Sequence, residues 1–228
     1  MKPIKDIRIY KSRIPNINGN PLPSESHFTN DPHCAAIRRI AMKLNERGFS
    51  LGDFDHLYIN FTTCAVEGGV ALAKRSADTY HPWYRYCLVH IEKETYDKLD
   101  SLENYDYIVK WIRNILVVYF SSQDFNETRI LFSVQQAVEQ GENMLMKFKE
   151  KVSTNRRAVI FLRYLDSCKF YPLLMVYDAE ENLLLKKDLP ETVMLDYIGD
   201  IQVSTKRVAI KPRKNAFTTQ IAPLVFEY

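Results

Sequence analysis

The chain has 228 residues, 46% of them hydrophobic and 26% charged, with a formal net charge of +3. Those proportions are ordinary for a folded protein and exclude a disordered chain, and the charge is too small to imply a nucleic-acid partner by itself. The longest apolar run, Ile115 to Phe120, falls far short of the roughly 20 residues that a membrane span needs, so no membrane partner is expected.

Aromatic residues are abundant, with 14 Tyr and 12 Phe against only 7 Gly, so the chain can bury a sizeable core. The opening Met-Lys-Pro-Ile-Lys-Asp reaches no apolar export segment. The cysteines Cys34, Cys64, Cys87 and Cys168 are widely spaced with no CxxC. Free thiols in a reducing compartment, and hence a cytoplasmic location, are the expectation.

In chain order, Ile7 and Ile9 predict a strand near 6–13. Residues 15–32, with four Pro and the pair Asn18-Gly19, read as a long loop. Asp31-Pro32 predicts a helix start: Asp caps the free amides, and Pro lacks only a donor that would have no partner there. Ile37, Ile40, Ala41 and Leu44 form its apolar stripe, and Gly48 its stop. Phe54–Thr63 and Trp83–Ile91 read as strands, separated by the Glu67-Gly68-Gly69 turn. Val70 to Ala73 is equally readable as a short strand or a helical turn. A short helix is expected at 94–100 and a longer one at 104–120, with Ile108, Trp111, Ile112, Ile115, Leu116 and Tyr119 on one side. Leu131, Val134, Val138, Leu145, Phe148 and Val152 extend a further helix over 128–151, with a kink or break at Gly141. Beyond it the pattern turns to strands at 157–165, 169–178, 182–187, 200–211 and 215–226. Turns are expected at 178–182 and 211–215, and the short connections favour antiparallel pairing.

The expected fold class is therefore α+β: a mixed N-terminal part with helices packed on a sheet, followed by a C-terminal antiparallel β region. One globular domain over 1–228 is expected, with a possible sub-division into 1–153 and 154–228.

Candidate chemistry is sparse. Cys34 lies in the first turn of a helix, where amides and the macrodipole favour a thiolate, and His27, His33, His56, His81 and His90 are candidate bases. No HxH, HxxxH or HExxH spacing occurs, and strand alternation would turn His56 away from Asp53 and Asp55. No metal site or cofactor is expected. Glu67-Gly68-Gly69 lacks the spacing of a phosphate loop, and no Gly-x-Ser-x-Gly elbow is present. The carboxylate pairs Asp53/Asp55, Glu92/Glu94 and Glu180/Glu181 sit at element ends, where solvated charge is the default.

Two segments suggest binding. Tyr80-His81-Pro82-Trp83-Tyr84-Arg85-Tyr86 is the densest aromatic stretch, of a composition enriched at interface hot spots. The plainer reading, favoured for Trp83 and its alternates, is a strand whose alternate aromatics fill a core while the other face carries Arg85. In the last 28 residues Lys206, Arg207, Lys211, Arg213 and Lys214 face only Glu227, which predicts a basic hairpin. With only Phe217 beside it to stack a base, nucleic acid is not the expected partner. An acidic protein partner is a further reading.

Asp53-Phe54-Asp55-His56-Leu57-Tyr58-Ile59-Asn60-Phe61-Thr62, followed by Trp83-Tyr84-Arg85-Tyr86, resembles immunity proteins of bacterial polymorphic-toxin systems over roughly residues 50–92. The resemblance implies an intracellular, non-enzymatic inhibitor that binds one cognate toxin domain. It transfers no contact residue, and the modest basicity departs from the acidic character of an inhibitor facing a basic nuclease. The expected function is thus a cytoplasmic immunity protein that neutralises a toxin by stoichiometric occlusion, with Tyr84 and Tyr86 as anchors and Lys206, Arg207, Lys211, Arg213 and Lys214 at the rim. The alternatives are an enzyme built around Cys34 and a histidine, and a nucleic-acid accessory protein.

Overall fold

A computed structural model describes residues 2–15, 23, 27–28, 31–74, 79–166, 168–215, 218 and 220–228. Most of the 15–32 loop, the Asp31 side chain and Phe217 lie outside the described residues. The fold is α+β, and it divides into two compact units, Met1–Gly141 and Glu142–Tyr228.

The first unit is built on a five-stranded sheet in the order β2-β1-β3-β5-β4. Its strands are β1 (Asp6–Ser12), β2 (His27–Phe28), β3 (His56–Thr62), β4 (Val70–Leu72) and β5 (Tyr84–His90). β1, β3 and β5 run parallel, and β2 and β4 add antiparallel edges. The crossover from β1 to β3 contains helix α1 (Asp31–Glu46), as parallel neighbours require. All of the predicted α1 stripe is fully buried, and the helix packs on β1. Burying each of its larger side chains, Ile37, Ile40 and Leu44, contributes roughly 1.5–3 kcal/mol. The helix stops at Gly48, whose φ of 78° lies in the left-handed region. There the Gly48 amide donates to Asn45 and the Phe49 amide to Leu44. The undecided segment at Val70 is the edge strand β4, launched by a turn in which Gly68 and Gly69 both have positive φ.

Three helices follow, α2 (Lys93–Lys98), α3 (Tyr105–Phe120) and α4 (Glu127–Gln140). α4 packs against both α1 and α3. Asn126 caps α4, its side chain accepting from the Arg129 amide at 3.1 Å. Ile108, Ile112, Ile115 and Leu116 of α3 are buried as expected.

The expected helix over 128–151 is corrected here. α4 ends at Gln140, because Gly141 adopts a φ of 50°, and Met146–Ser153 is a strand, β6. β6 pairs with β7 (Arg156–Arg163) through a tight turn at 154–155. The expected sub-division at 153/154 thus falls inside a hairpin, and the boundary between the units lies at 141/142.

The second unit has two antiparallel sheets. β6, β7, β8 (Tyr171–Tyr177) and β9 (Leu183–Asp188) form one in that order. β10 (Asp200–Val203), β11 (Arg207–Lys211) and β12 (Leu224–Glu227) form the other. Their facing sides share a core of Ala158, Ile160, Leu174, Val176, Ile198, Ile201, Val208 and Ile210. The predicted single strand at 200–211 is two strands joined by a turn at 204–206. The predicted turn at 211–215 opens a longer connection to β12.

Candidate functional site

The parallel strands β1, β3 and β5 are in register, with Asp6, His56 and Tyr84 side by side, then Arg8, Tyr58 and Tyr86, then Tyr10, Asn60 and Leu88. Side chains alternate along a strand, so these residues share one face, while Ile7, Ile9, Leu57, Ile59, Cys87 and Val89 form the other and are all buried. The first face is aromatic and polar. Tyr58 stacks on Tyr84 at 4.7 Å and meets Tyr86 at 5.5 Å and Tyr10 at 5.4 Å. Tyr86 in turn meets Tyr10 at 5.6 Å and Tyr84 at 5.7 Å. The exposed Arg8 guanidinium lies 5.3 Å from the Tyr58 ring centroid and pairs with Asp6 at 2.7 Å.

Burial pushes the Tyr10, Tyr58 and Tyr86 phenols up from their ordinary values. They are neutral at physiological pH, each with an apolar ring and a polar tip. Burial would lower the Arg8 value, but the hydrogen bond and charge of Asp6 raise it.

Exposed aromatics precede β5 at the amino ends of the strands. Tyr80 is 86% exposed and Trp83 is 43% exposed, with His81 edge-on to Trp83 at 4.7 Å. The Trp83 carbonyl accepts from the amides of both Asp55 and His56, each at 3.0 Å. Trp83 therefore does not fill a core, and Arg85 does not occupy a solvent face. Arg85 is buried beside Phe54, donates to the carbonyls of Pro82 and Tyr84, and reaches Asp53 at 3.0 Å.

His56 is also placed differently from the expectation. β3 begins at His56, so Asp55 precedes the strand and escapes its alternation. Asp55, 2% exposed, accepts from His56 Nδ1 at 2.6 Å and from Lys5 Nζ at 2.7 Å. The pair fixes the His56 ring, which stands edge-on to Tyr58.

The remaining candidates are dispersed. Cys34 is half-buried in the first turn of α1. Its neighbour His33 donates from Nε2 to the Ser101 carbonyl at 3.0 Å and stacks on Tyr105, lining a cavity of about 260 Å³ with Pro32, Arg39 and Leu102. Burial pushes the Cys87 thiol up to about 12, which suits packing rather than reactivity. No three metal-capable side chains cluster among the described residues. No helix among them is long and apolar enough to cross a membrane.

The basic residues of the second unit do not form one hairpin tip. Lys206 is in the β10–β11 turn, and Arg207 opens β11 opposite Glu227. Lys211 closes β11 opposite Asp200, about 13 Å from Arg207 along the strand. Arg213 lies 3.9 Å from Asp196, and Lys214 is exposed beyond it. Arg207 and Lys211 line a groove of about 310 Å³ with Gln202, Ala209, Pro223 and Val225.

No protein-family model, curated protein or solved structure matches this chain.

Proposed function

We propose that this chain is a protein-binding protein that acts by stoichiometric occlusion, an immunity protein for a cognate toxin domain, and that the tyrosine face of its first unit carries the recognition. The observation behind this reading is the aromatic surface of the half-buried Tyr84 and Tyr86 and the exposed Trp83 and Tyr80 at the start of β5, backed by the buried Tyr10 and Tyr58 and flanked by Arg8. Tyr, Trp and Arg are the residues that dominate interface energetics, because they combine large contact area with a polar handle. The exposed part of that surface lies at the amino ends of the parallel strands. Open α/β sheets hold small ligands at the carboxyl ends, so the location favours a macromolecular partner over a small substrate. Two features support the immunity reading: the resemblance at residues 50–92 and the cytoplasmic character expected from the cysteines.

The test takes the product of the adjacent reading frame as the probe and measures its complex with this chain by calorimetry, together with growth rescue when both are co-expressed. A one-to-one complex is expected. Tyr84→Ala should weaken it by at least about 2 kcal/mol, roughly 30-fold, chiefly through faster dissociation. Neutralising Lys211, Arg213 and Lys214 together should slow association at low salt and leave dissociation nearly unchanged, as for charges that steer encounter without entering the buried contact. Protection at sub-stoichiometric amounts of this protein, through turnover of a substrate, would reject occlusion.

A further inference from the structure

A cleft of about 300 Å³ in the first unit lies between the connection that follows α1 and the carboxyl end of α3. Residues 48–52 form one wall. Tyr119 to Ser122 form the other, joined by Asp124 and Phe125 of the α3–α4 connection. None of these residues belongs to the tyrosine face.

The hydrogen-bonding groups of the lining are one-sided. Four of its amides are spent within the two connections. Gly48 donates to the Asn45 carbonyl at 2.9 Å, and Gly52 to the Ser50 hydroxyl oxygen at 3.1 Å. Ser122 donates to the Phe125 carbonyl at 3.1 Å, and Phe125 to the Ser122 hydroxyl oxygen at 3.0 Å. Acceptors are left over. α3 ends where Ser121 turns to extended backbone, and the carbonyls of Val118, Tyr119 and Phe120 accept no hydrogen bond among the described residues. A helix carboxyl end carries partial negative charge, which a basic residue in the last turn offsets. α3 has no basic residue there. Asp124 adds an exposed carboxylate that makes no ion pair among the described residues.

Aromatic rings supply the apolar part. Tyr119 is 38% exposed, and its hydroxyl donates to the Val70 carbonyl at 3.2 Å, which fixes the ring. The Phe120 ring lies 6.3 Å from it and is braced edge-on by Phe54 at 5.8 Å. Phe125 already carries a guanidinium of the chain itself. Arg129 lies 4.5 Å from its ring centroid and donates to the Asp124 carbonyl, which leaves the Asp124 carboxylate open.

Acceptors, negative charge and ring faces together select a ligand that is rich in donors, positive and flat. A guanidinium has five N–H donors and no acceptor. It stacks on aromatic rings and binds a carboxylate through two parallel hydrogen bonds. An anion would be repelled by Asp124 and by the helix end.

We propose that this cleft binds an alkylguanidinium, with its plane on Tyr119 and Phe120 and its N–H groups shared between Asp124 and the last carbonyls of α3. The volume is at the small end for ligand sites. It suits a free guanidino compound or a single arginine side chain, two sources of the same chemistry.

The test titrates the full-length protein with butylguanidinium chloride and follows the amide signals of Ser121–Phe125 by NMR. Saturable shifts with a Kd of roughly 1 mM are expected for a ligand of this size. Butylurea has the same shape without the charge and should bind at least about tenfold more weakly. D124N should weaken butylguanidinium by about tenfold, and D124K, which places a cation at the site, should abolish saturation. Asp124 is exposed, so both variants should melt with the wild type. N-acetylarginine methylamide is the second probe and separates the sources: tighter binding than butylguanidinium assigns the cleft to an arginine residue, weaker binding to a free compound. Shifts that grow without saturating for both probes overturn the proposal. So does butylurea binding equally well, or an affinity that D124N leaves unchanged. The protein-binding reading stands or falls separately, because its complex is measured through other residues.

Discussion

Gly199→Ala should destabilise the second unit by about 3 kcal/mol or more. Gly199 sits just before β10, where its amide donates to the Lys211 carbonyl at 2.6 Å. A Cβ added there would come closer than 3.0 Å to the Pro212 carbonyl carbon and oxygen and to the Arg213 nitrogen, all of them backbone atoms. Backbone cannot swing aside as a lysine tail would. The 212–213 segment is also anchored from the other side, because the Arg213 amide donates to the Asp196 carbonyl at 2.7 Å. Relief must come from moving the chain at 199 or at 212, and Ile198, Ile201 and Ile210 beside it are fully buried core residues. Overpacking a close-packed site costs typically about 1–3 kcal/mol and more when backbone must shift. In a unit of this size, 3 kcal/mol lowers the melting temperature by roughly 12–24 °C. Thermal melts of wild type and variant measure it directly, and a loss below about 1 kcal/mol would mean that the 212–213 backbone can withdraw freely.

The glycine itself was not legible in the sequence, because close approach depends on which segments meet in space. Elements whose cause is local were legible. α1 carries its start, stripe and stop in consecutive residues, and the start, the buried stripe and the Gly48 stop agree with the structure. α4 ran too far because Leu145, Phe148 and Val152 continue a helical spacing. The competing signal was the alternation of Lys147, Lys149 and Lys151, which belongs to β6. The β10–β11 turn was invisible because Ser204-Thr205-Lys206 contains no Gly, Pro or Asn. It closes instead through the Ser204 amide donating to the Arg207 carbonyl at 3.0 Å, with the Ser204 hydroxyl oxygen accepting from the Arg207 amide.

The site divides in the same way. Tyr84 and Tyr86 stand out in a dense aromatic run, but Tyr10 and Tyr58 join them only because β1, β3 and β5 are parallel neighbours. Their alternation with apolar residues, Tyr58 between Leu57 and Ile59 and Tyr10 following Ile7 and Ile9, is the local sign that they lie on the opposite face. Arg85 reads as a surface charge and is instead buried, because Asp53 and two carbonyls satisfy its guanidinium. The basic residues of the last strands were legible as a composition. Their separation along β11 was not, since it depends on where the turn falls.

Asp55→Ala should cost the first unit about 2 kcal/mol at pH 5, and that cost should disappear in acid. The carboxylate is almost wholly buried and accepts from His56 Nδ1 and Lys5 Nζ. Removing it strands the His56 donor, which is 19% exposed, whereas Lys5 is 61% exposed and can turn to water. The cost is therefore dominated by the histidine side, at the level of one hydrogen bond to a charged group. Asp55→Asn keeps one acceptor oxygen and should cost about half as much. Burial alone would raise the Asp55 value, but the hydrogen bonds from Lys5 and His56 hold it below the ordinary carboxylate range. A group depressed on folding stabilises the protein above its unfolded value, about 3.9 for Asp. That contribution is lost as the pH falls through the lower folded value. Denaturant titrations of wild type and Asp55→Ala between pH 5 and pH 2 should then show a gap that is constant at the upper end and closes toward the lower. A gap of the same size at pH 2 would mean that Asp55 acts by filling space rather than by charge. The outcome also bears on the proposed recognition face, because the same carboxylate orients His56 against Tyr58 and the Asp55 amide donates to the Trp83 carbonyl. A variant that loses stability and also binds the proposed protein partner more weakly would tie this buried anion to the tyrosine face.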